Sequence, residues 1–196
     1  VNLKDLTIQN GSLTSEMLTP IAELPLLENL SLAYNDITDI SVLNNLSGDL
    51  KFLQISSNPI EDFSPISNLS SLQKFWADSM SSSGITGLGF LSNLTNLEEI
   101  QLSDNQINDI SILSSFSNLN FVSLADNVID SALGVFNQMQ AGQIDLSGNP
   151  LQCNDIASLF MELNANVSIV FDQGCNFQLD SDGDGVPSYQ QVQLFK

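Results

Sequence analysis

A short apolar pattern, L-x-x-L-x-L-x-x-N-x-I, recurs along the chain and constrains its fold more than any other feature. Copies start at residues 3, 27, 50, 72, 97, 119 and 141, so they are spaced 24, 23, 22, 25, 22 and 22 residues apart. One such unit cannot bury its apolar side alone, whereas stacked units share a continuous core. The near-constant spacing therefore predicts a solenoid of about seven repeats over residues 1–151.

Alternation within the L-x-L part of each copy predicts one short strand per repeat. The two apolar residues point inward, and the residues before and between them point to the opposite face of a parallel sheet. The Asn side chain can both donate and accept hydrogen bonds, so we expect it to satisfy buried turn backbone. These residues are Asn35, Asn58, Asn105, Asn127 and Asn149; the first and fourth copies have Gly11 and Met80 instead.

The second half of each repeat predicts a short 3-10 or single-turn helix. Asp39, Asp62 and Asp109 stand where a carboxylate can cap such a turn. Longer helices are predicted over residues 15–23, 131–140 and 155–164.

This consensus resembles the roughly 22-residue bacterial leucine-rich repeat of the internalin type. The resemblance covers about residues 1–151. It implies an α/β fold, a right-handed solenoid with a parallel concave β-sheet and short 3-10 or α segments on the convex side. It also implies a secreted or cell-surface module that binds a protein or a glycan through the concave face, as a monomer or as part of a larger multidomain chain.

Charge excludes several other functions. The chain has 23 acidic residues, four Lys, no Arg and no His, for a formal net charge of −19. A nucleic-acid reader needs a cationic surface, so nucleic acid is not expected as a partner. No apolar run is long enough for a transmembrane segment. Without His there is no ordinary Ser-His or Cys-His nucleophile, so we expect no enzyme.

Two alternatives to the binding module remain open. Glu98 and Glu99 are a carboxylate pair that glycoside hydrolysis would require, although a solvated charge pair is the simpler interpretation. A structural spacer in a larger calcium-dependent surface protein is the other alternative.

Aromatic residues mark the predicted concave face, whose remaining side chains are mostly small and polar. Phe52 and Trp76 lie on adjacent predicted strands, one column apart, where they could touch, and the fourth repeat, which carries Trp76, is longer than most of the others. Exposed aromatics are enriched at binding hot spots. The alternative is that lysines offset nearby acids and that Phe52 covers a neighbouring side chain. The candidate ligand-binding residues are Lys51, Phe52, Lys74, Trp76, Asp78, Glu99 and Phe121.

Residues 152–176 resemble a reduced form of the cysteine-containing C-terminal cap of extracellular leucine-rich-repeat proteins. Such a cap covers the core that the last coil would expose. Cys153 and Cys175 are the only cysteines, and we predict a disulfide between them, with two free buried thiols as the alternative. A disulfide fits an oxidising compartment.

The tail, residues 177–196, contains a candidate calcium loop. Asp180, Asp182 and Asp184 alternate before a Gly, and the carbonyl of Val186 would be the next ligand. The run resembles calcium loops of thrombospondin type 3 repeats and EF-hand-like stalks, but it has Gln191 where a bidentate Glu closes an EF-hand. Ca²⁺ is therefore the cofactor that the tail implies, and an acidic linker without a cation is the alternative.

Overall fold

The parallel sheet predicted from the repeat is present. The computed structural model describes residues 2–46, 49–80 and 84–172. Each strand pairs in parallel with the strand of the next repeat, so the sheet order follows the sequence from β1 to β8. The strands are β1 (Asp5–Thr7), β2 (Asn29–Ser31), β3 (Phe52–Gln54), β4 (Lys74–Trp76), β5 (Glu99–Gln101), β6 (Phe121–Ser123), β7 (Gly142–Asp145) and β8 (Val167–Val170).

The core lies behind this sheet. The middle residues of successive strands are in register, and Leu30, Leu53, Phe75, Ile100 and Val122 are completely buried. Apolar residues of the returning segments pack against them in a single cluster. The fold is thus an α/β leucine-rich-repeat solenoid whose register places corresponding residues of every repeat side by side.

Short 3-10 helices form the returning side of the repeats, as predicted. They are η1 (Ser15–Glu23), η2 (Ser41–Asn45), η3 (Ser64–Asn68), η4 (Gly89–Leu91) and η5 (Ser111–Ser115). Asp39, Asp62 and Asp109 each accept a hydrogen bond from the first backbone N–H of the following helix, at 2.7, 2.8 and 2.9 Å. Those bonds from Ser64 and Ser111 hold the pKa of Asp62 and Asp109 below the usual value.

The helix predicted over residues 131–140 was wrong, because this segment consists of turns. Gly134 has a φ of +73°, which a regular helix does not allow. Val135, Phe136 and Met139 are buried nonetheless, so their spacing reflects burial of a coil rather than a helical face. The one α-helix among the described residues, α1 (Cys153–Glu162), begins and ends two residues before the bounds predicted for it.

The Asn residues form the predicted internal ladder. Asn58 is 0% exposed and donates to the carbonyls of Leu32 and Ile55, both at 2.9 Å. Its Oδ1 accepts from the N–H of Ile37 in the preceding repeat at 3.1 Å. Since Leu32 also belongs to that repeat, each Asn joins two turns. Met80 occupies the equivalent place in the fourth repeat and is buried.

The two edges of the described sheet differ from the central repeats. Ile8 was expected to point into the core with Leu6, but it is 36% exposed. In the described part of the chain no strand pairs with β1 on its outer side, so Ile8 lacks the neighbouring repeat that covers Leu32 and Ile55. At the other edge, β8 adds directly to β7, and Leu146 donates to the Val170 carbonyl at 2.8 Å.

Candidate binding face

The first and third residues of β1 to β6, together with the second and fourth residues of β7, form one surface on the side of the sheet away from the core, which we call the sheet face. Strand register aligns them in two columns. The first column contains Asp5, Asn29, Phe52, Lys74, Glu99, Phe121 and Gln143, and the second contains Thr7, Ser31, Gln54, Trp76, Gln101, Ser123 and Asp145.

Two aromatic side chains meet on this face. Phe52 of β3 aligns with Lys74 of β4, so Trp76 lies diagonally across from Phe52. The two ring centroids are 4.8 Å apart with an interplanar angle of 77°, an edge-to-face arrangement. Both side chains are half-buried. The contact foreseen from their columns is therefore formed, and it leaves part of each ring accessible.

Glu99 fixes the indole of Trp76 and is the charged centre of the cluster. One of its carboxylate oxygens accepts from the indole Nε1 of Trp76 at 2.8 Å and from Nε2 of Gln101 at 2.9 Å. The other oxygen is 2.8 Å from Nζ of Lys74. Burial alone would raise the pKa of Glu99, but hydrogen bonds from Lys74 and Gln101 outweigh it and hold the pKa below the usual value.

The environment of Glu99 argues against Glu99 as the general acid of a glycoside hydrolase. A general acid requires a pKa raised toward neutrality. The pKa of Glu99 is shifted in the other direction, and its oxygens are already occupied by three donors. The carboxylate orients its neighbours instead of offering a proton.

Lys4, Glu28 and Lys51 form a second ionic network beside the aromatics. Glu28 bonds Lys4 through one oxygen and Lys51 through the other, the latter at 2.6 Å. Lys4 and Lys51 directly precede β1 and β3 and are not strand residues. The lysines do offset nearby acids, as the alternative interpretation had it.

Glu28 makes the stability of the protein depend on pH in the acidic range. Hydrogen bonds from Lys4 and Lys51 lower its pKa to about 2, from an ordinary value near 4.5. A lowered pKa stabilises the folded state above the unfolded pKa, and that contribution is lost as pH falls through the folded value. We expect the melting temperature of the Glu28→Gln variant to change less than that of the wild type between pH 4.5 and 2. Equal slopes in calorimetry would contradict this assignment, and Glu61→Gln, an exposed acid outside the network, is the control.

Asp78 lies two residues beyond Trp76 and is half-buried. Its Oδ1 accepts from the backbone N–H of Ser103 at 2.9 Å, and Ser56 Oγ donates to its Oδ2 at 3.4 Å. Burial raises the pKa of Asp78 despite these bonds, and the nearby carboxylate of Asp104 raises it further. Asp78 is thus a carboxylate whose described hydrogen-bond partners are all neutral.

The structure brings only some of the predicted site residues into one contact network. Phe52, Lys74, Trp76 and Glu99 form one contact network, whereas Lys51 belongs to the network of Glu28. Phe121 of β6 lies beside Glu99 of β5 in the first column. Sequence reasoning missed Glu28 and Gln101. The repeat position of Glu28 carried a signal of ion pairing, because Lys4 and Lys51 have the same position in their own repeats.

Most of the residues predicted for the C-terminal disulfide and calcium loop lie outside the described ranges. Cys175, Asp180, Asp182, Asp184 and Val186 lie outside the described residues, so the Cys153–Cys175 disulfide and the calcium loop stay predictions. Within residues 2–46, 49–80 and 84–172, no group of three or more acidic or Cys side chains is arranged to hold a metal ion. No helix in those ranges has the length and apolarity needed to cross a bilayer.

Comparison with known proteins identifies the repeat. Residues 25–68 match the family model described as leucine-rich repeats (2 copies). No curated protein matches the sequence. The structure of an internalin (inlF) from Listeria monocytogenes matches with a TM-score of 0.75 and 27% identity, over 87% of this chain and 49% of that one.

Two further solved structures share the fold. Internalin C2 from Listeria monocytogenes matches with a TM-score of 0.64 and 26% identity, over 86% of this chain and 80% of that one. A leucine-rich-repeat protein of Leptospira interrogans matches with a TM-score of 0.73 and 23% identity, over 86% of this chain and 49% of that one. The chain spans about half the length of the first and third of these proteins. Its fold is a leucine-rich-repeat solenoid that is structurally similar to the Listeria internalins.

Proposed function

We propose that the chain is an extracellular or cell-surface binding module that recognises a protein through its sheet face. The observation that carries this proposal is the edge-to-face contact of Phe52 and Trp76 on a face that is otherwise mostly small and polar. Half-buried aromatics with a polar rim are typical of the residues that dominate binding energy. A glycan that stacks on the same rings is the second candidate.

Rigidity of the cluster supports recognition over a merely tolerated aromatic pair. The indole N–H of Trp76 is bonded to Glu99, and Glu99 is held in turn by Lys74 and Gln101. A side chain that is already fixed loses little conformational entropy when a partner docks. The cluster is therefore preorganised for binding by residues of its own sheet.

A screen on arrays of extracellular proteins and of glycans, with and without calcium, tests this function. We expect the wild type to capture at least one protein and the Phe52→Ala variant to capture it at least fivefold more weakly, because Phe52 supplies half of the aromatic contact. Absence of any wild-type binding would favour the structural spacer. Retained binding by Phe52→Ala would place the site away from this cluster.

This proposal also includes a secreted or surface location, the Cys153–Cys175 disulfide and a Ca²⁺ ion held by the tail. They are supported by the sequence patterns alone. The acidic composition, with 23 acidic residues against four Lys, suits an exposed module that avoids nucleic acid.

A further inference from the structure

The charge next to Trp76 indicates what kind of group the partner presents. The chain has four Lys and neither Arg nor His. Lys4 and Lys51 are paired with Glu28, Lys74 is paired with Glu99, and Lys196 lies outside the described residues. The lysines in the described part of the chain are therefore committed to two glutamates, and they leave Asp78 without an ionic partner there.

Asp78 and Trp76 are placed to act on one ligand group. Ala77 between them is completely buried, so its two neighbours on the chain flank it on the exposed side. Two residues of extended chain span roughly 6.6 Å at a rise of about 3.3 Å per residue. The bonds of Asp78 come from Ser103 on the β5 side and Ser56 on the β3 side, which hold the carboxylate beside the strand that carries Trp76.

Glu99 does not compete for this role. Its side chain is only 14% exposed, and its oxygens already accept from Lys74, Trp76 and Gln101. Asp78, by contrast, has neutral hydrogen-bond partners and the like charge of Asp104 close by. The uncompensated negative charge of Asp78 thus lies two residues along the chain from Trp76, with that of Asp104 near it.

We propose that Trp76 and Asp78 form an anchor for an arginine or lysine side chain of a protein partner. The cation would stack on the accessible part of the indole and pair with the Asp78 carboxylate. A guanidinium suits this arrangement best, because it stacks on aromatic faces and bonds carboxylates in a planar fork. This inference rests on the proposed function of the sheet face, and it adds the chemistry of the residue that docks there.

Trp76 is the single tryptophan of the chain, so its fluorescence reports on this site alone. We would titrate the full chain with the capped peptide acetyl-Gly-Arg-Gly-amide and with its citrulline counterpart, which has the same shape and no charge. Salt near 0.15 M reduces the Debye length to about 8 Å and so screens the attraction of a distant net charge. We expect saturable binding of the arginine peptide, at least threefold tighter than that of the citrulline peptide.

Two charge-matched variants locate the effect. Asp78→Asn keeps an oxygen acceptor for the Ser103 N–H and should weaken arginine-peptide binding at least threefold. Asp130→Asn, an exposed acid outside the sheet face, should leave it unchanged. Equal loss in both variants, or equal binding of arginine and citrulline peptides by the wild type, would overturn the anchor.

The wild-type comparison of the two peptides remains decisive if Asp78→Asn fails to fold. Failure of the anchor is also distinguishable from failure of the sheet-face function. A protein captured on the array that depends on Phe52 but binds Asp78→Asn as tightly as wild type would refute the cation anchor and leave the binding face standing. Capture of neutral glycans alone would also refute the anchor.

Discussion

Replacing Asn58 by Leu lowers the free energy of unfolding by about 3–5 kcal/mol, although the two side chains have similar volumes. The change removes the acceptor of the Ile37 N–H and the donor to the Ile55 carbonyl, both within the buried turn, whereas the Leu32 carbonyl keeps its bond from Asn35. Each buried polar group left without a partner costs about 1–3 kcal/mol. Urea unfolding followed by circular dichroism measures the loss.

Asn68→Ala is the matched control for this change. Asn68 is exposed and bonds only one side chain in the described structure, that of Asn44, at 2.8 Å. We expect its loss to cost less than about 1 kcal/mol, since an exposed group regains hydrogen bonds to water. Similar values for the two variants would show that the Asn ladder does not stabilise the turns.

Gly142→Ala is expected to cost about 3 kcal/mol or more and to act locally. Gly142 has a φ of +132°, and a Cβ there would lie 1.8 Å from the carbonyl oxygen of Asn120. That oxygen accepts from the Gln143 N–H at 2.9 Å, so β7 must move away from β6. Because the repeats contact their neighbours in one dimension, separation at this point frees β7 and β8 from the rest.

Hydrogen exchange reads out that local effect. Amides of residues 142–170 should exchange faster in Gly142→Ala, while those of β2 to β5 keep their protection. Gly87→Ala is the control, because a Cβ at Gly87 meets nothing within 4 Å. Unchanged protection in β7 and β8, or equal loss throughout the sheet, would contradict the structural assignment.

The repeat predicted the strands and columns because side-chain alternation and in-phase stacking are local properties of the pattern. The contact of Phe52 with Trp76 followed from the same register. The turns at 131–140 did not, since buried apolar residues in a coil can mimic helical spacing there. Nor could the pattern show that Gly142 packs against the Asn120 carbonyl, which depends on the approach of two backbones.

Charge pairing was predictable only in part. Aligning Lys4, Glu28 and Lys51 by repeat position places opposite charges side by side, and the structure shows these contacts. The sequence offered no signal that Glu99 would accept a hydrogen bond from the indole N–H of Trp76 instead of facing solvent. That bond depends on rotamers of three neighbouring side chains.

The affinity of the Trp76→Ala variant for a protein captured on the array tests the central claim most directly. We predict a loss of at least about 2 kcal/mol, or roughly thirtyfold in Kd, because hot-spot tryptophans contribute on that scale. Met17→Ala, an equally non-conservative change at a 58% exposed residue of η1, should stay within about twofold of wild type. Equal affinities of the two variants, both folded by circular dichroism, would contradict the claim that this protein binds its partner through the aromatic cluster of the sheet face.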